Sequence, residues 1–194
     1  FDNDGYLDIL TSTWDPTGAM HLFRNQHDGT FSDRTKDANL EGFLGGINMV
    51  QADYDNDGDL DVYVIRGAWL GDSGRHPNSL LQNQGDGTFT DVLAQAVPHT
   101  SWFSMGAACG DLNNDGNIEV VINNLDSRPN VLRNRGETKN WILVKVRGTQ
   151  SNRNGIGARV VVESGDMSQL DEVRSGGSYM SQNDMRLHFG VGDA

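Results

Sequence analysis

Oxygen-bearing side chains recur along this chain in one spacing: Asp2-Asn3-Asp4-Gly5-Tyr6-Leu7-Asp8, Asp53-Tyr54-Asp55-Asn56-Asp57-Gly58-Asp59-Leu60-Asp61, and Asp111-Leu112-Asn113-Asn114-Asp115-Gly116-Asn117-Ile118-Glu119. Carboxylates or amides at positions 1, 3 and 5 can converge on one hard cation when a turn at the following glycine returns the acid at position 9 to the same point. Calcium is the ion such a set suits, because it takes six to eight oxygen ligands in flexible geometry.

The middle copy is complete, with Asp53, Asp55, Asp57 and Asp61 as side-chain ligands and the carbonyl of Asp59 as a backbone ligand. Asp57→Ala is therefore expected to remove the largest share of the metal's effect. In the third copy Asp111, Asn113, Asp115, Asn117 and Glu119 take the corresponding places, with fewer carboxylates and a weaker expected hold. The first copy offers Asp2, Asp4 and Asp8. Aligning Asp4 with Asp57 sets Phe1 opposite Tyr54, so the equivalent of Asp53 would precede the chain and this site is expected to be the weakest. Asn-Asp-Gly runs also make solvated turns, but repetition before an apolar segment each time favours the metal reading.

The flanks decide the kind of loop. An EF-hand needs helices on both sides and Glu at position 12. Counting from Asp53 and Asp111 reaches Val64 and Ile122 instead. Leu7–Leu10, Leu60–Ile65 and Ile118–Ile122 are short and rich in β-branched residues, which predicts strands. A second element follows each loop. Leu22-Phe23-Arg24-Asn25-Gln26-His27-Asp28-Gly29-Thr30-Phe31 matches Leu80-Leu81-Gln82-Asn83-Gln84-Gly85-Asp86-Gly87-Thr88-Phe89, and Val131-Leu132-Arg133-Asn134-Arg135-Gly136 begins a third. Asp-Gly before Thr-Phe predicts hairpins with Phe31 and Phe89 as inward anchors. The unit recurs about every 50 to 60 residues, the period of propeller blades or an array.

Asp-x-Asp-x-Asp-Gly before a strand and an Asn-x-Gly-Asp-Gly-Thr-Phe hairpin resembles the FG-GAP or VCBS repeats of integrin-α-like β-propellers, over residues 1–138. Asn140-Trp141-Ile142-Leu143-Val144, Ser151-Asn152-Arg153-Asn154-Gly155-Ile156-Gly157, Gly176-Gly177-Ser178-Tyr179 and His188-Phe189-Gly190-Val191-Gly192 resemble an ASPIC/UnbV domain over residues 139–194. The pairing resembles the cartilage acidic protein family, whose members are secreted or surface proteins. It implies calcium binding and an extracellular, adhesive role without a known reaction. It also implies a longer propeller and a longer C-terminal domain, so this chain is expected to be a fragment at both ends.

The expected architecture is all-β: a partial propeller of about three blades, then a small β domain in which Ile142–Arg147 and Ala158–Glu163 form half-buried strands about a Ser-Asn-Arg-Asn-Gly turn. No apolar run approaches the roughly 20 residues of a membrane helix. The net charge of −12 would repel nucleic acid. Cys109 is the single cysteine, so no intrachain disulfide forms. Extracellular calcium modules bind at the weak end of the affinity range, which fits a secreted or cell-surface location.

Catalysis finds little support. His21, His27, His76, His99 and His188 are scattered without zinc spacing, and no Gly-x-Ser-x-Gly elbow is present. Arg147, Arg153, Arg159 and Arg174 could receive an anion or could pair with Asp171 and Glu172. Trp14, Trp69 and Trp102, in or beside irregular segments, could meet a protein or glycan partner or pack between blades. The expected function is thus a calcium-binding, non-catalytic module that presents loops to such a partner. The alternative is a portion of a propeller enzyme whose site is completed elsewhere.

Overall fold

The computed structural model describes residues 1–15, 18–66, 76–97, 104–136 and 139–193. Three antiparallel sheets follow one another along the chain. The first holds β1 (Ile9–Thr11), β2 (His21–Asn25) and β3 (Phe31–Asp33) in that order. The second holds β4 (Asn48–Ala52), β5 (Asp61–Ile65), β6 (Ser79–Asn83) and β7 (Phe89–Asp91), and leads into a single helical turn, α1 (Leu93–Ala96). The third runs β8 (Ser104–Gly110), β9 (Glu119–Asn124) and β10 (Asn130–Leu132). The chain is nearly all β, and these sheets form a partial propeller without closing a ring. The second and third acidic loops open onto the second strands of their sheets, β5 and β9, and the first opens onto β1; in the second, Ala52 pairs with Asp61 across the mouth of the loop.

Strand β5 explains why the blades stack. All five of its residues are buried. Side chains alternate across a strand, so Val62 and Val64 join Met20, Leu22, Ala38, Leu40, Leu81 and Phe89 in a core shared with the first blade. Tyr63 and Ile65 face the other way, packing with Val50, Leu93, Ala107 and Ile122 against the third. A continuous apolar strand is what a sheet covered on both faces requires.

The two hairpin phenylalanines part company here. Phe89 is 1% exposed and wedges into the first blade, its amide donating to the carbonyl of Ala38 at 3.0 Å. Phe31, expected as its twin, is 43% exposed because no described blade lies on its side of the first sheet. The third hairpin likewise departs from expectation. Beyond β10 no further strand among the described residues joins that sheet; β11 (Asn140–Val144) pairs with β14 (Leu187–Gly192) instead. In the same C-terminal segment β12 (Arg159–Ser164) pairs with β13 (Met167–Glu172), so the strands on either side of the Ser-Asn-Arg-Asn-Gly turn find different partners. Val173, Leu187 and Phe189 form the core of this segment.

Candidate metal centre

A left-handed asparagine and a left-handed glycine build each acidic loop. Asn3, Asn56 and Asn114 have φ of 55°, 58° and 57°, a conformation that asparagine tolerates better than most residues. Two residues on, Gly58 and Gly116 have φ of 97° and 88°. The amide that follows each tight turn points inward. Gly58 donates to Asp53 Oδ2 at 3.0 Å and Asp57 to Asp53 Oδ1 at 3.2 Å; Gly116 and Asp115 repeat both bonds to Asp111 at the same lengths. The loops are also tied in series. Asn3 Nδ2 donates to the carbonyl of Gly58, and Asn56 Nδ2 to that of Gly116.

In the second loop, Asp53, Asp55 and Asp61 each bring a carboxylate oxygen within 4.8 Å of the others. Asp53 and Asp61 are buried, at 3% and 1% exposure. Backbone amides fix Asp61: Tyr54 donates to Oδ2 at 3.0 Å and Asn83 to Oδ1 at 2.8 Å. Gln82 Nε2 donates to Asp55 Oδ2 at 2.6 Å, while the buried Oδ1 of Asp55 accepts no hydrogen bond. Asp57 spends Oδ1 on the amide of Asp59, and the Asp59 side chain turns to Asn3 Nδ2 at 2.9 Å. These two acids therefore flank the cluster of three.

Like charges so close repel by about 3 kcal/mol per ionised pair at an effective dielectric constant of about 20. Desolvation, then the charge of Asp57, pushes Asp53 up to about 7. Desolvation lifts Asp61 to about 9 against the two amides that favour its ionised form. Burial also raises Asp57 and Asp59. A buried oxygen without a donor and clustered acids held above their ordinary range fit a divalent cation, which supplies the missing positive charge to oxygen ligands. Asp53, Asp55 and Asp61 would hold it, with Asp57 beside them.

The other loops answer their charge internally. In the third, Asn113 places its Nδ2 toward Asp115 Oδ2 at 2.9 Å and Glu119 Oε1 at 3.5 Å, while Oδ1 accepts from the amide of Asp115. Asn117 donates its amide to Asp115 Oδ1 at 3.0 Å. That bond chiefly holds Asp115 below its ordinary range. Arg133 stands 3.6 Å from the other oxygen. In the first loop Arg24 Nε lies 2.6 Å from Asp2, and Asp4 meets both Arg24 and His27 Nε2, the latter at 2.8 Å. Asp8 accepts from the Phe1 ammonium and from the amide of Asn25.

Sequence reasoning missed the residues that reach the loops from the hairpins. Arg24, Gln82 and Arg133 occupy one position of the repeat, just before Asn25, Asn83 and Asn134, and each contacts its own loop's carboxylates. The repeated Leu/Phe-x-Asn step carried that signal. The asparagines brace the blades: Asn83 Nδ2 donates to the carbonyl of Phe1 and Asn134 Nδ2 to that of Tyr54, each to the preceding loop. Also missed were Trp141 and His188 of the C-terminal segment, stacked at 5.6 Å beside the second and third loops.

Other candidate residues sort simply. Arg159 pairs with Glu172 at 3.2 Å, and Arg174 with Asp171. Trp14 is 59% exposed; Trp69, Trp102 and His99 lie outside the described residues. No helix among the described residues is long and apolar enough to cross a membrane.

Comparison with known proteins agrees with the geometry. Residues 1–64 and 68–122 match the FG-GAP-like repeat, and residues 148–194 match ASPIC and UnbV. Cartilage acidic protein 1 of Mus musculus and of Homo sapiens are each 23% identical over 201 residues, covering 99% of this chain. The Xenopus tropicalis protein is 24% identical over the same span. The chain spans about 30% of the length of these relatives. With blade-like sheets, repeated acidic loops and repeat matches over more than half its length, the chain belongs to the FG-GAP-like repeat family and carries an ASPIC and UnbV segment.

Proposed function

We propose that this chain is a calcium-stabilised, non-catalytic module of an extracellular repeat protein, in which residues 1–138 form propeller blades and residues 139–194 a C-terminal β domain. The buried convergence of Asp53, Asp55 and Asp61, with Asp55 Oδ1 lacking any donor, carries the reading. The second loop is the principal site. The third is weaker, because Asn113 brings a donor among its acids and Arg133 lies beside Asp115. The first is weakest, because Arg24 and His27 already meet Asp2 and Asp4. Calcium there would lock adjoining strands, and the exposed Trp14 would offer an aromatic surface to a protein or glycan.

Because the ion binds the folded loop and not the open chain, it stabilises by about 2.7 kcal/mol at a concentration 100 times its Kd. For a chain of this size that is a rise in Tm of roughly 5 to 10 °C. Melting in EDTA and in millimolar calcium tests this. Coincident curves would overturn the proposal, as would an unchanged calcium response in Asp61→Asn.

A further inference from the structure

The C-terminal strand β14 lies directly on the second acidic loop, and its sequence alternates to suit. Leu187, Phe189 and Val191 are buried at 5%, 2% and 8% exposure. With a period of two, His188, Gly190 and Gly192 face the opposite way, and all three meet the loop. Gly190 N–H donates to Asp53 Oδ2 at 3.0 Å, and Gly192 N–H to the carbonyl of Asn56 at 3.2 Å. His188 Nε2 lies 2.6 Å from Asn56 Oδ1. Asn56 Nδ2 is already spent on Gly116, so the imidazole must be the donor. Gln169 Nε2 holds the carbonyl of Gly190 at 2.6 Å. A Cβ at Gly190 would overlap both Asp53 Oδ2 and the Cα of Asn56. Glycine is needed there for close approach alone, since Gly190 lies outside the left-handed region.

We infer that the cation site of the second loop is composite: the acidic loop supplies the ligands, and Gly190 of the C-terminal segment supplies the amide that completes the setting of Asp53. This rests on the proposed reading of that loop as a calcium site. Asp53 Oδ2 sits between the amides of Gly58 and Gly190, one local and one 137 residues away. Without the second amide a buried carboxylate loses a charge-assisted hydrogen bond and some of its orientation, and outer partners of this kind alter metal affinity by about 10- to 100-fold. Linkage makes the effect reciprocal. Seating β14 tightens the ion, and binding the ion tightens the seat of β14. Gly190 is thus a positioning residue for the metal and a fastener between two parts of the chain.

Calcium titration calorimetry on the parent chain and Gly190→Ala, with hydrogen exchange of residues 187–192 in calcium and in EDTA, tests the coupling. Calcium should slow exchange at Gly190 and Gly192 in the parent, and Gly190→Ala should bind about 10- to 100-fold more weakly with a smaller calcium-dependent rise in Tm. A residue that merely supports the fold would lower the EDTA and calcium melts equally. Should Gly190→Ala fail to fold, His188→Ala removes a neighbouring contact without touching Asp53, and a severalfold weaker affinity with parent-like circular dichroism is expected. Equal affinity in the folded variant and calcium-independent exchange across 187–192 would overturn the inference while leaving the metal site standing. A parent chain that binds no calcium would overturn both.

Discussion

Raising pH should expose the cost of the acidic cluster, and calcium should remove it. In the metal-free fold Asp53 sits at about 7 and Asp61 at about 9, against 3.8 in an open chain. The folded form therefore holds more protons than the unfolded form between about pH 4 and pH 9, and stability in EDTA falls as pH rises through that window. Calcium needs both carboxylates ionised. At about pH 6 the metal-free cluster keeps roughly 0.9 of a proton on Asp53 and nearly one on Asp61, so about two protons leave for each ion bound. At about pH 8 Asp53 is already ionised and the release drops to about one. Titration calorimetry in buffers of different ionisation enthalpy reads this number directly. Fewer than about half a proton per ion at about pH 6, or an affinity that does not rise between pH 6 and pH 8, would refute the burial-driven account.

Five substitutions probe the surrounding architecture. Phe89→Ala should cost about 3 to 5 kcal/mol in urea unfolding and Phe31→Ala less than about 1, because the same repeat position is buried in one blade and open in the other; equal losses would contradict the packing between blades. Gly116→Ala and Gly29→Ala share φ of 88°, but only Gly116 lies against Trp141, so its loss in Tm should be the larger. Equal losses would remove Trp141 from the loop. Arg24→Gln copies the neutral Gln82 of the second loop, and the first loop should then bind calcium severalfold more tightly; an unchanged stoichiometry and affinity in calorimetry would show that Arg24 does not compete.

Local sequence carried the loops because their chemistry is local. Asn56 and Gly58 set the turn, and Leu60–Ile65 announced a strand, which the fold then covers on both faces. The first strand of the third sheet was not legible. β8 reads Ser104-Met105-Gly106-Ala107-Ala108-Cys109-Gly110, poor in the usual strand formers, because the C-terminal segment crosses close by: a Cβ at Gly110 would lie 3.0 Å from Asp184. Phe31 and Phe89 have nearly the same neighbours in sequence and opposite burial, since the covering blade is a distant matter. For the same reason spacing put Asp57 first among the ligands, whereas the fold draws together Asp53, Asp55 and Asp61 and has Asp57 Oδ1 accept from the amide of Asp59. Gly190, distant from every acidic loop in sequence, meets Asp53 from β14, whose other neighbour is β11.

An anomalous difference map from crystals grown in calcium locates the ion itself. The strongest peak should lie between the carboxylates of Asp53, Asp55 and Asp61, with weaker density at Asp111 and Glu119 and the least at Asp2 and Asp4. A map without a peak at the second loop, or with its strongest peak at the first, would contradict this order.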